Sequence, residues 1–336
     1  MRAKFSYLEK IFLKTVFKFE FLNRVLFDIE NVFIKKQINL NNKIFITGLP
    51  RSGTTILLNT IYSSNIFASN TYRNMPFILS PNIWFFFTKF LKRSIPTERV
   101  HGDGIKINID SPEAFEEVFW KIFLKKKYIK GTKLVEHNLN DEILNEYEKY
   151  IELICQNSKK INFISKNNNN VLRIDDLSNY FKDSKFIIMY RDPLNHCRSL
   201  KKQFFHFKDI HKEDKFLQSY MTFLGHYEFG SNYKSLFIDD IEKDKNNLNF
   251  WLKKWCLVYS QLLKLKKKNN VIFLSYEKFC EKPKLSLEKI FNNEDILEKI
   301  KYDEIKNNNI EINHDDENKE LAYKIYNEMT NSLNNE

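Results

Sequence analysis

Residues 43–62 read KIFITGLPRSGTTILLNTIY, and their order decides the fold. KIFIT is a continuous apolar run, the pattern of a strand buried on both faces of a parallel sheet. Gly48 lets the chain turn tightly where the strand ends, Pro50 stiffens the loop, and Gly53 lets the backbone approach an anion. Thr54 and Thr55 open a helix whose free N–H groups and positive dipole end favour phosphate. Gly48 and Gly53 have the spacing of a Walker loop, G-x-x-x-x-G-K-[ST], but Thr54 stands where the lysine belongs. The cation has moved inside the loop as Arg51. The group that reaches the β- and γ-phosphates of a nucleoside triphosphate is therefore gone, which points to a monoester phosphate held by Arg51 and hydroxyls. A plain strand–turn–helix would need none of these choices.

Further strand-like runs follow at Ile161–Ser165, Lys185–Tyr190 and Val271–Ser275. Helical patterns lie between them at Thr54–Tyr62, Pro112–Lys126, Asn140–Cys155 and Asn249–Lys268. Strands alternating with helices predict a three-layer α/β fold: a P-loop-like parallel sheet flanked by helices, with a helical cap insertion. The expected organisation is an amphipathic helical segment over 1–40, a main domain over 41–295 whose helix-rich stretch 66–160 caps the active edge, and a polar tail over 296–336. No internal repeat is visible.

The 336 residues carry a formal net charge of +11. Such a chain attracts phosphates, sulfates, nucleic acids or anionic lipid. It is also crowded with Lys, Asn, Ile and Phe, as A/T-rich codons would make it, so the charge and the Asn runs alone mean little. Nucleic-acid binding has only the charge behind it, and no nucleic-acid partner is expected. Cys155, Cys197, Cys256 and Cys280 are scattered, without metal-ligand spacing or a secreted disulfide frame. A reducing, cytoplasmic setting is the default. Charges break up the first 27 residues, so no signal-peptide core exists. Phe5, Leu8, Ile11, Phe12, Val16 and Phe19 instead suit an amphipathic helix, packed on its own domain or, as second reading, in peripheral contact with a membrane. The apolar stretch 77–91 is too short to span a bilayer.

KFIIMYRDPLNHCRSL, residues 185–200, is a buried strand followed by Arg191, Asp192 and Pro193. Ser199 lies on the helix that Pro193 starts. An arginine at a strand's C-terminal end and a serine on the next helix can converge on one phosphate. A Walker B role for Asp192 is disfavoured by its place between an arginine and a proline.

Together these segments resemble the sulfotransferases that use 3′-phosphoadenosine-5′-phosphosulfate (PAPS), in particular a bacterial branch of the Golgi-type and tyrosylprotein-sulfotransferase-like group. In that family PRSGTT is the 5′-phosphosulfate loop, and R-D-P…S binds the 3′-phosphate. The resemblance implies that Pro50, Arg51, Ser52, Gly53, Thr54 and Thr55 hold the 5′ side, and Arg191 and Ser199 the 3′ side. Lys166, in FISKNNNN, matches a lysine that steadies the transferring sulfonyl group in relatives. Tyr276, in VIFLSYEKF, falls near the adenosine end, and the helix bearing Trp255 is also similar. So are MPFILSPNIW, ERVHGDGIKINIDSPEAFEEVFW and LGHYEFG. The resemblance covers roughly residues 40–292. It implies PAPS as co-substrate, adenosine 3′,5′-bisphosphate as product and no metal.

Transfer to an alcohol needs in-line positioning, cations on the leaving oxygen and a base. Relatives use a His or a Glu beyond the loop arginine, but that window here, residues 69–76, reads SNTYRNMP and offers no carboxylate. The best replacements are His101 and Asp103, between two loop glycines, and Glu116 on the following helix. An imidazole titrates near neutrality, which suits a base. Glu113 and Glu117 would share one face of that helix, capped by Ser111 with Pro112 in its first turn, where Glu113 can equally serve the helix dipole. His226 and Glu228 form a second pair. A metal site from these two with His206 and His211 matches no established spacing. The acceptor is expected to be a sugar, a glycolipid or another alcohol. Rival readings are a kinase with a degenerate P-loop, which would turn over ATP with magnesium, and a non-catalytic nucleotide-binding or membrane-associated protein. The aromatic residues Trp84, Phe85 and Trp120 serve as well in a core as at an acceptor lip.

Overall fold

The structure, a computed structural model, describes residues 5–33, 39–91, 95–238, 244–302, 307, 309–310 and 317–331. Two helices come first, α1 (Tyr7–Lys18) and α2 (Phe21–Phe33). The main sheet holds β1 (Lys43–Thr47), β2 (Phe67–Ala68), β3 (Asn162–Lys166), β4 (Lys185–Tyr190) and β5 (Val271–Ser275). Its order is β5-β4-β1-β3-β2, and every pairing is parallel. The fold is thus α/β, with a five-stranded parallel sheet between helical layers.

The strands carry no polar alternation because both faces are covered. Ile44 and Ile46 of β1 pack with Leu57 and Leu58 of α3 (Thr54–Tyr62) and with Ile187 and Met189 of β4. Phe45 points the other way, stacked on Phe186 at 4.8 Å and near Phe163 at 5.9 Å. Strands buried on both faces read as continuous apolar runs. Because all five run parallel, the loops after β1, β3, β4 and β5 emerge at one edge, where ligands bind in open α/β sheets.

Within residues 66–160 lie α4 (Pro81–Thr88), α5 (Glu117–Phe123) and α6 (Asp141–Ser158). Tyr147 and Tyr150 of α6 are buried in the same core as Phe45, so α6 is a layer helix of the sheet, and β2 is one of its strands. Residues Thr97–Glu98 and Lys106–Ile107 form a short antiparallel hairpin. The helix predicted from Pro112 starts only at Glu117. Pro112 instead bridges Thr71 in an extended pairing, and the Ser111 hydroxyl bonds Asn108. Glu113 is therefore not in a first helical turn, and it does not share a helix face with Glu117.

After β3 come α7 (Ile174–Tyr180), α8 (Pro193–Glu213), α9 (Lys215–Leu224), α10 (Leu248–Leu263) and α11 (Tyr276–Glu281). A last helix, Glu317–Asn331, buries Ala322, Ile325 and Met329 in the core. The frayed end expected of the tail lies outside the described residues. The N-terminal helices also rest on the body. Val16 and Phe27 are buried, and the Glu30 carboxylate accepts the backbone N–H groups of Asn82 and Ile83, capping α4. Among the described residues no helix is long and apolar enough to cross a membrane.

Candidate active site

The phosphate loop is built by close packing that excludes side chains. A Cβ on Gly48, at φ +135°, would meet the Met189 carbonyl oxygen at 2.3 Å, and one on Gly53, at φ +96°, would meet the Tyr276 ring at 2.6 Å. Arg51 sits at φ +73°, a left-handed conformation that costs a non-glycine residue about 1–3 kcal/mol. Such strain persists only where the surroundings impose it. Here they do: His196 Nε2 donates to the Pro50 carbonyl at 2.8 Å, and the Trp255 indole N–H donates to His196 Nδ1 at 3.1 Å. The imidazole is fully buried. Burial holds its pKa at about 3, so the ring stays neutral in one tautomer. Tyr259 adds a hydrogen bond to the Met189 carbonyl at 2.8 Å. Helices α8 and α10 thus clamp the loop from behind.

The two halves expected for the anion site meet. Arg51 Nε donates to Ser199 Oγ at 3.3 Å. The Arg191 guanidinium lies 4.7 Å over the Tyr276 ring and donates to Asn309 Oδ1. Arg51 and Arg191 lie within each other's field. Thr54 and Ser52 are buried, Thr55 is half-buried, and Thr54 Oγ1 donates to Asn168 Oδ1 at 3.3 Å. Tyr276 itself is 5 % exposed, so it supports Gly53 and Arg191 from below and presents little open face. These features fit a nucleotide with two phosphate ends: glycines at contact distance, a free helix N-terminus and two arginines. Asp192 is spent otherwise. It caps α8 through Asn195 and accepts from Tyr323 at 2.8 Å, which takes Asp192 out of a Walker B role.

Lys166 ends β3 in register with Ile46, at the edge where the loop begins. It is 7 % exposed. Burial lowers its pKa against the opposing pull of Glu113 and Glu228. Glu113, buried, accepts from the Tyr72 hydroxyl at 2.8 Å and lies 3.9 Å from Arg99. Burial alone would raise its pKa, but the charges of Lys166 and Arg99 prevail and hold it at about 2. Glu113 is therefore ionised and within the field of Lys166. The sequence offered that glutamate only as one of several, and its function as a dipole partner falls with the helix start.

The replacements chosen from sequence take other places. Asp103 is gripped by two guanidiniums, Arg51 Nη1 at 2.6 Å and Arg99 Nη2 at 2.6 Å. Burial would raise its pKa, but those two partners hold it far below the usual carboxylate range. Guanidinium N–H groups occupy both of its oxygens, from Arg99 on one and from Arg51 and Arg99 on the other. His101 packs edge-on against Phe207 at 5.0 Å, and burial with the Arg99 charge depresses its pKa well below 6.5. It remains neutral, and the titration near neutrality that made it a candidate base is displaced downward. Glu116 is 1 % exposed and accepts from Asn170, Trp120 and Asn167. It organises a buried amide cluster and does not join Lys166. His206, His211 and His226 donate to or receive from separate partners: the Val100 carbonyl, Met221 with Ser231 N–H, and the Ala114 carbonyl. Among the described residues no three His, Cys, Asp or Glu side chains converge on a metal position.

Two features escaped sequence reading. His196 carries no motif of its own, although a histidine four residues into the helix after R-D-P faces back toward the loop. The Asn run 167–170 was set aside as codon bias, yet all four are buried. Asn167 and Asn170 bind Glu116 and Glu117, and Glu117 pairs with buried Arg173 at 3.1 Å.

A cavity of about 570 Å³ opens at Glu113 and Arg99. Tyr72, Arg99, His101, Glu113 and His226 form its polar side.

A parallel sheet whose glycine-turned, lysine-less loop carries Arg51, with a second arginine at the adjacent strand end, has the chemistry of a phosphate-handling α/β protein. The sequence profile of the Sulfotransferase family matches residues 43–296, and the chain belongs to that family. No curated protein sequence matches it. Solved structures similar to it include sulfotransferase STF1 from Mycobacterium tuberculosis, with 10 % identity and a TM-score of 0.47 over 85 % of this chain and 75 % of that one. STF9 from Mycobacterium avium shows 11 % identity and a TM-score of 0.44 over 82 % and 70 %. A sulfotransferase from Alicyclobacillus acidocaldarius shows 12 % identity and 0.33 over 89 % and 94 %.

Proposed function

We propose that this enzyme moves a sulfonyl group from PAPS to an alcohol, with Arg51, Ser52, Gly53, Thr54 and Thr55 on the donor's 5′ side and Arg191 and Ser199 toward its 3′-phosphate. The acceptor oxygen attacks sulfur, and the bond from sulfur to the 5′-phosphate oxygen breaks. The hydroxyl proton passes to Glu113, and the electron pair leaves with adenosine 3′,5′-bisphosphate. Lys166 neutralises charge as it grows on the bridging oxygen, where a preorganised cation counts most. The observation that carries this reading is the place of Lys166, at the end of β3 in register with Ile46 and within the field of Glu113, at the edge where the phosphate loop emerges.

Calorimetry tests the donor. Adenosine 3′,5′-bisphosphate should bind without magnesium and much more tightly than ATP. Tighter ATP binding that needs magnesium would replace this reading with a kinase. Arg191→Ala should weaken the bisphosphate by about 2–4 kcal/mol, through loss of a charge-assisted contact. Adenosine 5′-monophosphate should be affected far less.

A further inference from the structure

The cavity beside Glu113 specifies what kind of alcohol the enzyme takes, an inference that rests on the sulfonyl-transfer reading above. Away from its polar side, the walls are Phe12, Trp84, Phe115, Leu217, Tyr220 and Leu224. Its other charged neighbours are already engaged. Glu9 closes the cap of α1 with Ser6, and Arg73 is held by Asp110 at 2.8 Å and by the Thr88 carbonyl at 2.6 Å. A sugar ring along these walls would leave its hydroxyls without partners, which is costly in a desolvated site. A hydrocarbon chain loses nothing there and gains by leaving water.

The outer end of the cavity points to the source of such a chain. Phe115 and Glu113 are buried, whereas Phe12 and Leu91 at the other end are 44 % and 50 % exposed. Phe12 of α1 stacks on Trp84 of α4 at 6.2 Å, so the two helices frame that end together. Beside it Phe86, Phe87 and Phe90 stand 67 %, 69 % and 79 % exposed. Lys89 lies over the rings of Phe86 and Phe90. An apolar lip this exposed marks an interaction site, and aromatic rings beside lysine suit the boundary of a lipid or micelle surface.

We infer that the acceptor is a long-chain amphiphile, with its hydroxyl at Glu113 and Lys166 and its hydrocarbon chain along the apolar walls toward α1 and α4. The product is its sulfate monoester. The alcohol oxygen forms the new bond to sulfur, Glu113 takes the proton, and adenosine 3′,5′-bisphosphate departs.

The test uses the full chain, radiolabelled PAPS and unbranched primary alcohols from butanol to dodecanol below their micellar concentrations, with glucose alongside. kcat/KM should rise by up to about fourfold per added methylene until the chain outgrows the cavity, and glucose should be a far poorer acceptor than the long alcohols. Phe12→Asp, a change at a half-exposed position, should cut the preference for dodecanol over butanol at least about tenfold while the affinity for adenosine 3′,5′-bisphosphate stays unchanged. A flat dependence on chain length, a preference for glucose, or no transfer to any alcohol by enzyme that binds the bisphosphate overturns the acceptor class and leaves the donor reading standing. Failure to bind the bisphosphate in the same preparation overturns both.

Discussion

The roles proposed for Lys166 and Glu113 can be separated experimentally because they fall at different moments. The ammonium matters most when the bridging oxygen gains charge, so Lys166→Ala should lower kcat by about 100-fold or more, with donor affinity changed by less than about tenfold. Glu113→Gln keeps the shape and the Tyr72 contact but removes the proton acceptor. It should lower kcat by about 100-fold or more, while His101→Ala costs far less. Equal losses at His101 and Glu113 would return the base to the imidazole. The pH profile follows from the same pair. Glu113 is held at about 2, so its carboxylate is ready throughout the neutral and mildly acidic range and produces no limb there. Lys166 is lowered by burial and is needed protonated, so the rate should fall on the alkaline side, below the ordinary lysine range. Lys166→Arg should move that fall upward, because a guanidinium does not titrate there. An alkaline limb that stays put in the arginine variant would assign it to another group.

Helix α8 shows how an element places residues that the sequence names only one at a time. Its N-terminus brings Ser199 to Arg51, His196 to the Pro50 carbonyl and Gln203 to the His101 carbonyl at 3.1 Å. His196→Ala leaves the Trp255 N–H and the Pro50 carbonyl unpaired in a buried site. It should cost about 1–3 kcal/mol of stability and loosen Arg51, weakening adenosine 3′,5′-bisphosphate. Thermal denaturation and calorimetry check the two effects, and a variant as stable as wild type with unchanged binding would make the clamp dispensable. Strands β1, β4 and β5 were legible to the residue, because a run covered on both faces is apolar without alternation and ends in glycine or charge. The phosphate loop and R-D-P…S were legible because their chemistry is local. The start of α5 was not: Ser111 and Pro112 look like a cap, but pairing with Thr71 across the chain outweighs the local signal. The surroundings of Glu113 are set by Tyr72, Arg99 and Lys166, which come from three distant segments, and no spacing within one stretch could have shown that. The Asn run was discounted for its composition, although its burial depends on Glu116 and Glu117 far away in the chain.

At the scale of the whole molecule, one line of charges joins the loop after β1 to the cavity at Glu113. Arg51 binds Asp103, Asp103 binds Arg99, and Arg99 lies 3.9 Å from Glu113. The hairpin that carries Asp103 belongs to the stretch between β2 and β3, and the loop that carries Arg51 belongs to the sheet. A carboxylate from the hairpin thus holds the arginine that, on the reading proposed above, a phosphate would need. Binding an anion at Arg51 must compete with Asp103, and any release of Asp103 is felt at Arg99 and at the base. Asp103→Asn removes the competing charge and keeps the side chain's size. The bisphosphate should bind more tightly to this variant, since Arg51 no longer has a carboxylate partner. The free protein should lose on the order of 2 kcal/mol, because Arg99, 7 % exposed, keeps its charge but loses its closest counter-ion. The acid side gives a second readout. Asp103 and Glu113 both have depressed pKa values. Their contribution to stability is therefore complete above the ordinary carboxylate range and is lost as pH falls through their folded values. The variant should lose less stability than wild type on acidification. Calorimetry of nucleotide binding and denaturation at neutral and acidic pH measure the two effects together. Weaker nucleotide binding in Asp103→Asn would show that the carboxylate positions Arg51 for the donor and does not compete with it.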